Sequence, residues 1–282
     1  MTFQRFLSAA RRLRAKHDVT YTLKAETEKE KNISWNESPP GEKRLVAAAL
    51  NKTFRTRHVV HDVSFSVHQA EIVGLFGPNG AGKSVSFSMV MGLCRPDSGR
   101  VLLDCTDITP LPIHVRARMG VSYVPQEPSI FRKITVEANV RAIMQMRRDL
   151  SYTEQTERCE ALLKAFQLTH VRNQRADTLS GGERKRVEIA RALTVNPRFL
   201  IFDEPFSGID PCAVQDIKRI IVRLAHSGVG ILITDHNVRE TLQITDRAYI
   251  IHCGHIIAQG SPQEVVRSSH VRQVYLGSQF QL

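Results

Sequence analysis

Long apolar runs are missing from this sequence. No stretch approaches the roughly 18–20 uninterrupted apolar residues that a membrane-spanning helix needs. Aromatic residues are also scarce, at 6% with a single tryptophan, and they form no RNA-binding motif. If the protein serves a membrane process, we therefore expect its membrane-spanning part to lie on a separate chain. We expect no nucleic acid partner.

Cysteine is sparse as well. The five cysteines are odd in number and never form a CxxC pair; they are Cys94, Cys105, Cys159, Cys212 and Cys253. Such scattered thiols argue against a disulfide framework or a zinc site and fit a reducing cytoplasm.

Positive charge exceeds negative charge, and the formal net charge is +11. Residues 1–24 contain six Lys and Arg but only one acid, Asp18. Proximity to an anionic membrane accounts for this balance. We predict that residues 1–44 are a flexible basic extension and linker. Its role stays open between a membrane-surface or partner-binding helix, a disordered tail or misplaced start, and a transit peptide.

A regular pattern begins at residue 45. Short apolar or alternating segments predict strands, among them VVHDVSFSV, EIVGLFG, RVLLD, FLIFDEP, GILITDH and AYIIHCG. Helical patterns lie between several of them, and residues 136–175 are helical in pattern. The alternation predicts an α/β domain over residues 45–282, with a parallel sheet, an antiparallel β layer and an inserted helical arm over about 127–180. A C-terminal tail covers about 261–282.

A phosphate-binding loop follows the predicted strand EIVGLFG. It has the form G-x-x-x-x-G-K-[ST] and consists of Gly77, Pro78, Asn79, Gly80, Ala81, Gly82, Lys83 and Ser84. Glycines let backbone N–H groups surround phosphates, and the following helix adds its positive N-terminal dipole. Lys83 would neutralise phosphate charge and the Ser84 hydroxyl would bind Mg²⁺. The loop predicts ATP and Mg²⁺ as ligands.

Two carboxylates end the strand FLIFDEP. In open α/β sheets the carboxyl ends of strands are where ligands bind. We therefore expect Asp203 to bind Mg²⁺ and Glu204 to act as the general base on the attacking water.

A second glycine-containing helix start, Leu179-Ser180-Gly181-Gly182-Glu183, lies far from the first loop in sequence. One nucleotide does not need two such cradles. With the basic helix that follows, this segment resembles the signature of ABC-transporter ATPases, and the resemblance covers about residues 45–260. It implies a P-loop NTPase (RecA-like) core. It also implies a homodimer that closes on two ATP molecules, with Ser180, Gly181 and Gly182 of each subunit against the other subunit's nucleotide.

The resemblance assigns further positions one at a time. It places Gln126 at the Mg²⁺-sensing Q-loop, Asp210 at the D-loop that crosses the dimer interface, and His236 at the switch histidine that contacts the γ-phosphate. Phe54, in KTF before the first predicted strand pair, matches the aromatic residue that stacks on adenine. Val85 replaces the hydroxyl residue usual in the family, so we expect weaker nucleotide binding without loss of activity.

Several stretches look like the ATPase of lipopolysaccharide-export transporters, among them LPIHVRARMGVSYVPQEPSIFRKITVEANV and HVRQVYLGSQFQL. The implied partners are transmembrane permease subunits on separate chains, and the implied location is the cytoplasmic face of the inner membrane. Phe131 and Arg132 would line the groove that receives the permease. Phe131 could instead anchor the arm in its own core.

Other functions remain as alternatives. The ATPases of branched-chain amino-acid importers are the main competitor. A soluble nucleic-acid-associated ABC ATPase fits less well, because that class carries two nucleotide domains in one chain or a long coiled-coil insertion. A non-hydrolysing regulatory subunit would have lost Lys83, Glu204 or His236, and all three are present.

Overall fold

The computed structural model describes residues 43–147, 149–277 and 279–280. The predicted extension, residues 1–44, therefore lies outside the described residues except for its last two positions. Within the described part of the chain, no helix is long and apolar enough to cross a membrane.

A six-stranded sheet forms the centre of the domain, in the order β10-β9-β3-β8-β7-β6. The strands are β3 (Ile72–Phe76), β6 (Val121–Val124), β7 (Phe199–Asp203), β8 (Gly230–Thr234), β9 (Arg247–His252) and β10 (His255–Gly260). All neighbours are parallel except β9 and β10, which form an antiparallel hairpin. The predicted parallel sheet is confirmed.

Apolar residues fill the central strands because both faces of the sheet are covered. Leu200 and Phe202 of β7 pack into one core with the helical arm, whereas Phe199 and Ile201 pack into the other. That second core lies under α1 (Lys83–Met91) and the antiparallel layer. The first core also receives α5 (Gly181–Leu193) and α6 (Pro211–His226).

The antiparallel layer has the strand order β2-β1-β4-β5. It comprises β1 (Arg44–Phe54), β2 (Arg57–His68), β4 (Ser98–Leu103) and β5 (Thr106–Asp107). The sequence pattern did not reveal β1, because its centre is three alanines and the pairing shifts between Ala47 and Leu50. Ala49 has a positive φ of 51°, which breaks the alternation that a regular strand shows.

The helical arm is less continuous than the pattern over residues 136–175 predicted. Its helices are α3 (Val136–Met144) and α4 (Tyr152–Ala165), followed by 3₁₀ turns at Thr169–Val171 and Ala176–Thr178. Ser151 caps α4 through a reciprocal capping box with Glu154, so a new helix starts there. The helical pattern over residues 136–175 therefore overstated the helix content between α3 and α4 and after Ala165.

The described part of the chain contains four shorter α-helices: α2 (Ile113–Met119), α7 (Val238–Leu242), α8 (Pro262–Arg267) and α9 (Ser269–Val271). A π-helical turn over Arg272–Leu276 follows, and Tyr275 and Phe280 pack against a third core cluster that includes Phe76. The C-terminal segment thereby lies against the strand that leads into the phosphate loop.

Candidate functional site

The phosphate loop joins the buried strand β3 to α1. A side chain at Gly77 would be 2.0 Å from the carbonyl oxygen of Ile251, so only glycine fits there. Gly82 caps α1 with a left-handed φ of 109° and without a side-chain hydrogen bond. The N-terminal N–H groups of α1 are thus arranged as an anion-binding end.

Lys83 is the first residue of α1, and its side chain folds back over the loop. Its Nζ donates to the carbonyl oxygens of Gly77 at 2.7 Å and Pro78 at 3.0 Å. Burial lowers the pKa of this ammonium group, and the carboxylates of Glu204 and Asp203 partly oppose the shift. A cation is therefore held at the loop, where it would meet phosphate oxygens.

Asp203 ends β7 with one oxygen bound and one open. Tyr123, on the adjacent strand β6, donates its hydroxyl to Asp203 Oδ2 at 3.1 Å. Oδ1 is buried without a hydrogen-bond partner among the described residues. Burial raises the pKa of this carboxyl, and Tyr123 and Lys83 oppose the shift. A buried carboxylate oxygen without a donor is a position that a cation would satisfy.

Oxygen donors suitable for Mg²⁺ are present, although they do not make a complete protein site. The described residues contain no group of three or more His, Cys, Asp or Glu able to hold a metal ion. Ser84 is exposed at the end of the phosphate loop, and Gln126 is exposed two residues after β6. Mg²⁺ is usually bound by one or two carboxylates together with waters and substrate phosphates. Asp203 fits the carboxylate position, and Ser84 and Gln126 would supply further oxygens.

Glu204 contacts two other residues that were predicted for the site, Gln126 and His236. His236 Nε2 lies 2.6 Å from Glu204 Oε1, and Gln126 donates its amide to Glu204 Oε2 at 2.7 Å. The backbone of Glu204 has a φ of 48°, a left-handed conformation that is uncommon for a non-glycine residue. Burial raises the pKa of this carboxyl and His236 opposes the shift. Both features are typical of a carboxylate that acts as a base.

Sequence reasoning missed Asp235, a buried residue directly before His236. Its two oxygens accept the N–H groups of Phe206 at 3.0 Å and Asn237 at 2.8 Å. Burial raises the pKa of Asp235, and these backbone donors oppose the shift. The side chain thereby ties the loop after Glu204 to the loop that carries His236. Its position at the end of the apolar strand β8 was the available signal.

The signature segment lies against the D-loop of the same chain. Ser180 caps α5 through a capping box with Glu183, and Asp210 caps α6 by accepting the N–H of Ala213 at 2.9 Å. A side chain at Gly182 would be 2.6 Å from the Cβ of Ala213. A cleft of about 190 Å³ is lined by Ser180, Gly182 and Asp210. None of its lining residues belongs to the phosphate loop.

The remaining predicted positions lie at the edges of the site. Phe54 is 47% exposed and is the last residue of β1. The sequence pattern placed Phe54 before the first strand pair, and the structure does not, because the pattern did not reveal strand β1. Val85 is partly buried and packs against the second core, as does Val59. Its methyl groups therefore have an apolar contact in the folded chain.

Phe131 and Arg132 are exposed in the loop between β6 and α3. The Phe131 ring is 50% exposed, and the guanidinium of Arg191 lies 5.2 Å from its centroid. Asn139 holds the Phe131 backbone through its N–H at 2.8 Å and its carbonyl oxygen at 3.0 Å. The core position in this loop is occupied by Ile130. The geometry favours a surface role for Phe131 over the core alternative.

Comparison with known proteins places this arrangement among nucleotide-driven transporters. The sequence pattern of the ABC transporter family matches residues 60–207, and the pattern of the branched-chain amino acid ATP-binding cassette transporter matches residues 255–281. Over 238 residues the chain is 52% identical to the lipopolysaccharide export system ATP-binding protein LptB of Escherichia coli strain K12, covering 84% of this chain and 99% of that protein.

The lipopolysaccharide export system ATP-binding protein LptB of Acidithiobacillus ferridurans is 55% identical to this chain over 238 residues, which cover 84% of this chain and 98% of that protein. Among solved structures, a nucleotide-free ATP-binding cassette from an ABC transporter superposes with a TM-score of 0.75. It is 29% identical and covers 84% of this chain and all of that chain.

Proposed function

The chain belongs to the ATP-binding subunits of ABC transporters and is an ATPase, and we propose that it powers lipopolysaccharide export. The LptB relatives from Escherichia coli and Acidithiobacillus ferridurans are matched over 99% and 98% of their length, respectively. We assign the subunit to the cytoplasmic face of the inner membrane, where permease subunits on separate chains would carry the lipid.

The contact of Glu204 with both Gln126 and His236 carries the assignment of the hydrolytic site. In this arrangement Glu204 accepts a proton from the attacking water, and His236 stabilises the charge that develops beside it. Lys83 and the N-terminus of α1 hold the phosphates. Magnesium, when bound by Asp203 with Ser84 and Gln126, would supply charge neutralisation.

Assembly as a homodimer follows from the separation, within one chain, of the two glycine-containing helix starts, the phosphate loop and the signature segment. Ser180 and Gly182 line a cleft that no residue of the same chain's phosphate loop lines. We place this face, with Asp210, against the nucleotide of a second copy. Binding of ATP would then join two subunits, and hydrolysis would release them.

Coupling to the permease is assigned to the exposed loop around Phe131 and Arg132. A half-exposed aromatic ring beside a cation is typical of the anchor residues of an interface. Phe54 would stack on adenine from the exposed end of β1. These roles remain proposals that mutation can test separately.

An importer of branched-chain amino acids is the second candidate, because that family's pattern matches residues 255–281. The longer matches to lipopolysaccharide export proteins favour export. Co-purification from membranes followed by identification of the permease subunits separates the two.

Proteoliposomes that contain the purified complex provide the direct test. We expect ATP-dependent release of lipopolysaccharide and no uptake of branched-chain amino acids. A Lys83→Ala complex serves as the control, since it keeps the assembly but loses the phosphate contact. Amino-acid uptake without lipopolysaccharide release would contradict the proposal.

A further inference from the structure

Helix α5 carries charged side chains on a face that is turned towards the protein interior. Lys185 and Glu188 are only 7% and 2% exposed, and Lys185 Nζ lies 3.0 Å from Glu188 Oε2. Arg191, one turn further along, is partly buried, and burial lowers the pKa of its guanidinium while Glu188 opposes the shift. The spacing of three residues places all three on the same side of the helix.

All three side chains bind the loop that follows β6. Glu188 Oε1 accepts the N–H of Ser129 at 2.7 Å, and Arg191 donates to the Ser129 hydroxyl at 2.8 Å. Lys185 Nζ donates to the carbonyl oxygen of Pro125 at 3.4 Å. The helix therefore holds both the beginning and the middle of residues 125–131.

The two ends of this loop carry the residues that the proposed function uses. Gln126 follows Pro125 directly and contacts the carboxylate of Glu204. Phe131, at the other end, lies under the guanidinium of Arg191. The helix itself begins at the signature glycines. Helix α5 thus begins at the proposed second-nucleotide contact, binds the residue directly before Gln126 and packs against the proposed permease contact Phe131.

Stability alone does not explain buried charges at this position. Removing an ion pair from water costs several kcal/mol per ion, and well-packed apolar residues often replace such pairs without loss of stability. Charges do, however, specify one geometry, because Glu188 must meet both the Ser129 N–H and Lys185. A backbone N–H in a loop has no ladder partner and needs such an acceptor.

We propose that Lys185, Glu188 and Arg191 are positioning residues that lock loop 125–131 to the signature helix. Movement of α5 when the dimer closes on nucleotide then shifts Gln126 and Phe131 together. This inference rests on the proposed coupling to a permease, and it assigns to the three charges a task in that coupling.

The test replaces Glu188 by glutamine, which has nearly the same shape but no charge. Glu71→Gln is the matched control. Glu71 also accepts a backbone N–H, from His68 at 2.8 Å, and its Oε1 lies 2.8 Å from Arg247 Nε. It lies just before β3, at the opposite end of that strand from the phosphate loop. Both variants lose one carboxylate charge, which is buried at Glu188 and partly buried at Glu71.

Two quantities are measured for the complete complex: the stimulation of ATPase activity by the permease subunits and the lipopolysaccharide released per ATP hydrolysed. We expect Glu188→Gln to lower both about tenfold, the factor that corresponds to one lost hydrogen bond to a charged group. The isolated subunit should retain most of its basal hydrolysis. Glu71→Gln should keep both ratios while its melting temperature falls comparably.

Ser129→Ala provides a milder second variant if Glu188→Gln folds poorly. It keeps the N–H that Glu188 binds and removes only the hydroxyl that Arg191 binds, so a smaller fall in both ratios is expected. Unchanged ratios in a folded Glu188→Gln or Ser129→Ala complex, or equal losses in Glu71→Gln, would overturn the inference. If the wild-type complex releases no lipopolysaccharide but Glu188→Gln still loses the ATPase stimulation, the proposed substrate is wrong and the inference stands.

Discussion

Truncation of Phe131 to alanine distinguishes a permease contact from a core residue. The ring is 50% exposed in the isolated subunit, whereas Phe166, at the end of α4, is 1% exposed. Both residues belong to the helical arm region, so the same substitution can be compared at two levels of burial. The prediction is that Phe131→Ala leaves the subunit folded and hydrolytically active but unable to associate productively with the permease.

The expected loss of stability follows from the exposed fraction. Full burial of a phenylalanine side chain contributes about 1.5–3 kcal/mol, so a half-exposed ring contributes about half of that. The cation–π contact with Arg191 adds about 0.5–1 kcal/mol at an exposed site. Phe131→Ala should therefore cost about 1–2.5 kcal/mol. Phe166→Ala should cost about 3–5 kcal/mol, as truncation of a core aromatic does.

Thermal unfolding of the isolated subunit measures this difference. At roughly 2–4 °C per kcal/mol for a domain of this size, Phe131→Ala should melt about 2–10 °C below wild type. Phe166→Ala should melt about 6–20 °C below it. Basal ATPase and co-purification with the permease are measured on the same samples. A melting temperature as low as that of Phe166→Ala, together with lost basal ATPase, would refute the surface assignment.

Four further predictions concern the nucleotide site. Glu204→Gln should keep ATP binding, lower turnover by about 10²–10⁴-fold and trap an ATP-bound dimer; near-normal turnover would exclude Glu204 as base. Mixing Ser180→Arg with Lys83→Ala subunits should give heterodimers with one intact site, formed by the unchanged phosphate loop of one subunit and the unchanged signature segment of the other. Such a mixture should show partial ATPase activity. A mixture as inactive as either variant alone would contradict assembly in trans or show that one site cannot hydrolyse ATP without the other. Val85→Thr should tighten ATP binding by at least about tenfold in equilibrium titrations, because the threonine adds a donor to a charged phosphate; unchanged affinity would mean that the loop already compensates. Asp203→Asn should raise the melting temperature of the nucleotide-free subunit at neutral pH while abolishing Mg²⁺-dependent hydrolysis. Burial raises the folded-state pKa of Asp203, so the ionised carboxylate destabilises the folded subunit above that pKa. This destabilisation disappears as pH falls through the raised pKa. An unchanged or lower melting temperature of Asp203→Asn would contradict the inference that burial of this charge is unfavourable.

Motif spacing and periodicity were sufficient for the fold class. The strands β3, β7 and β8 are apolar throughout because helices and the antiparallel layer cover both sheet faces, and such runs are readable without a structure. The alanine-rich β1 was not readable, since its bulge at Ala49 interrupts the alternation. The break between α3 and α4 was missed for a comparable reason, because the capping box at Ser151 interrupts a pattern that is otherwise helical.

The candidate site likewise contains some residues that the sequence pattern revealed and others that it did not. The phosphate loop and the carboxylates Asp203 and Glu204 could be found because each lies at the end of an apolar strand, within a few residues of the pattern that identifies it. Tyr123 lies within β6 and had no such signal, whereas Asp235 follows the apolar strand β8 and was overlooked. Their importance comes from what they bind, an Asp203 oxygen in one case and two backbone N–H groups in the other.

By itself, the sequence predicted which residues would carry phosphate, metal and proton chemistry, because loop geometry and strand ends depend on neighbours only a few positions away. Only the tertiary structure decided that Gln126 and His236 meet on Glu204, and that Lys185, Glu188 and Arg191 hold the loop at Ser129. These contacts join residues as many as 78 positions apart. Their existence depends on how the sheet and α5 pack, which is a property of the whole core rather than of any local pattern.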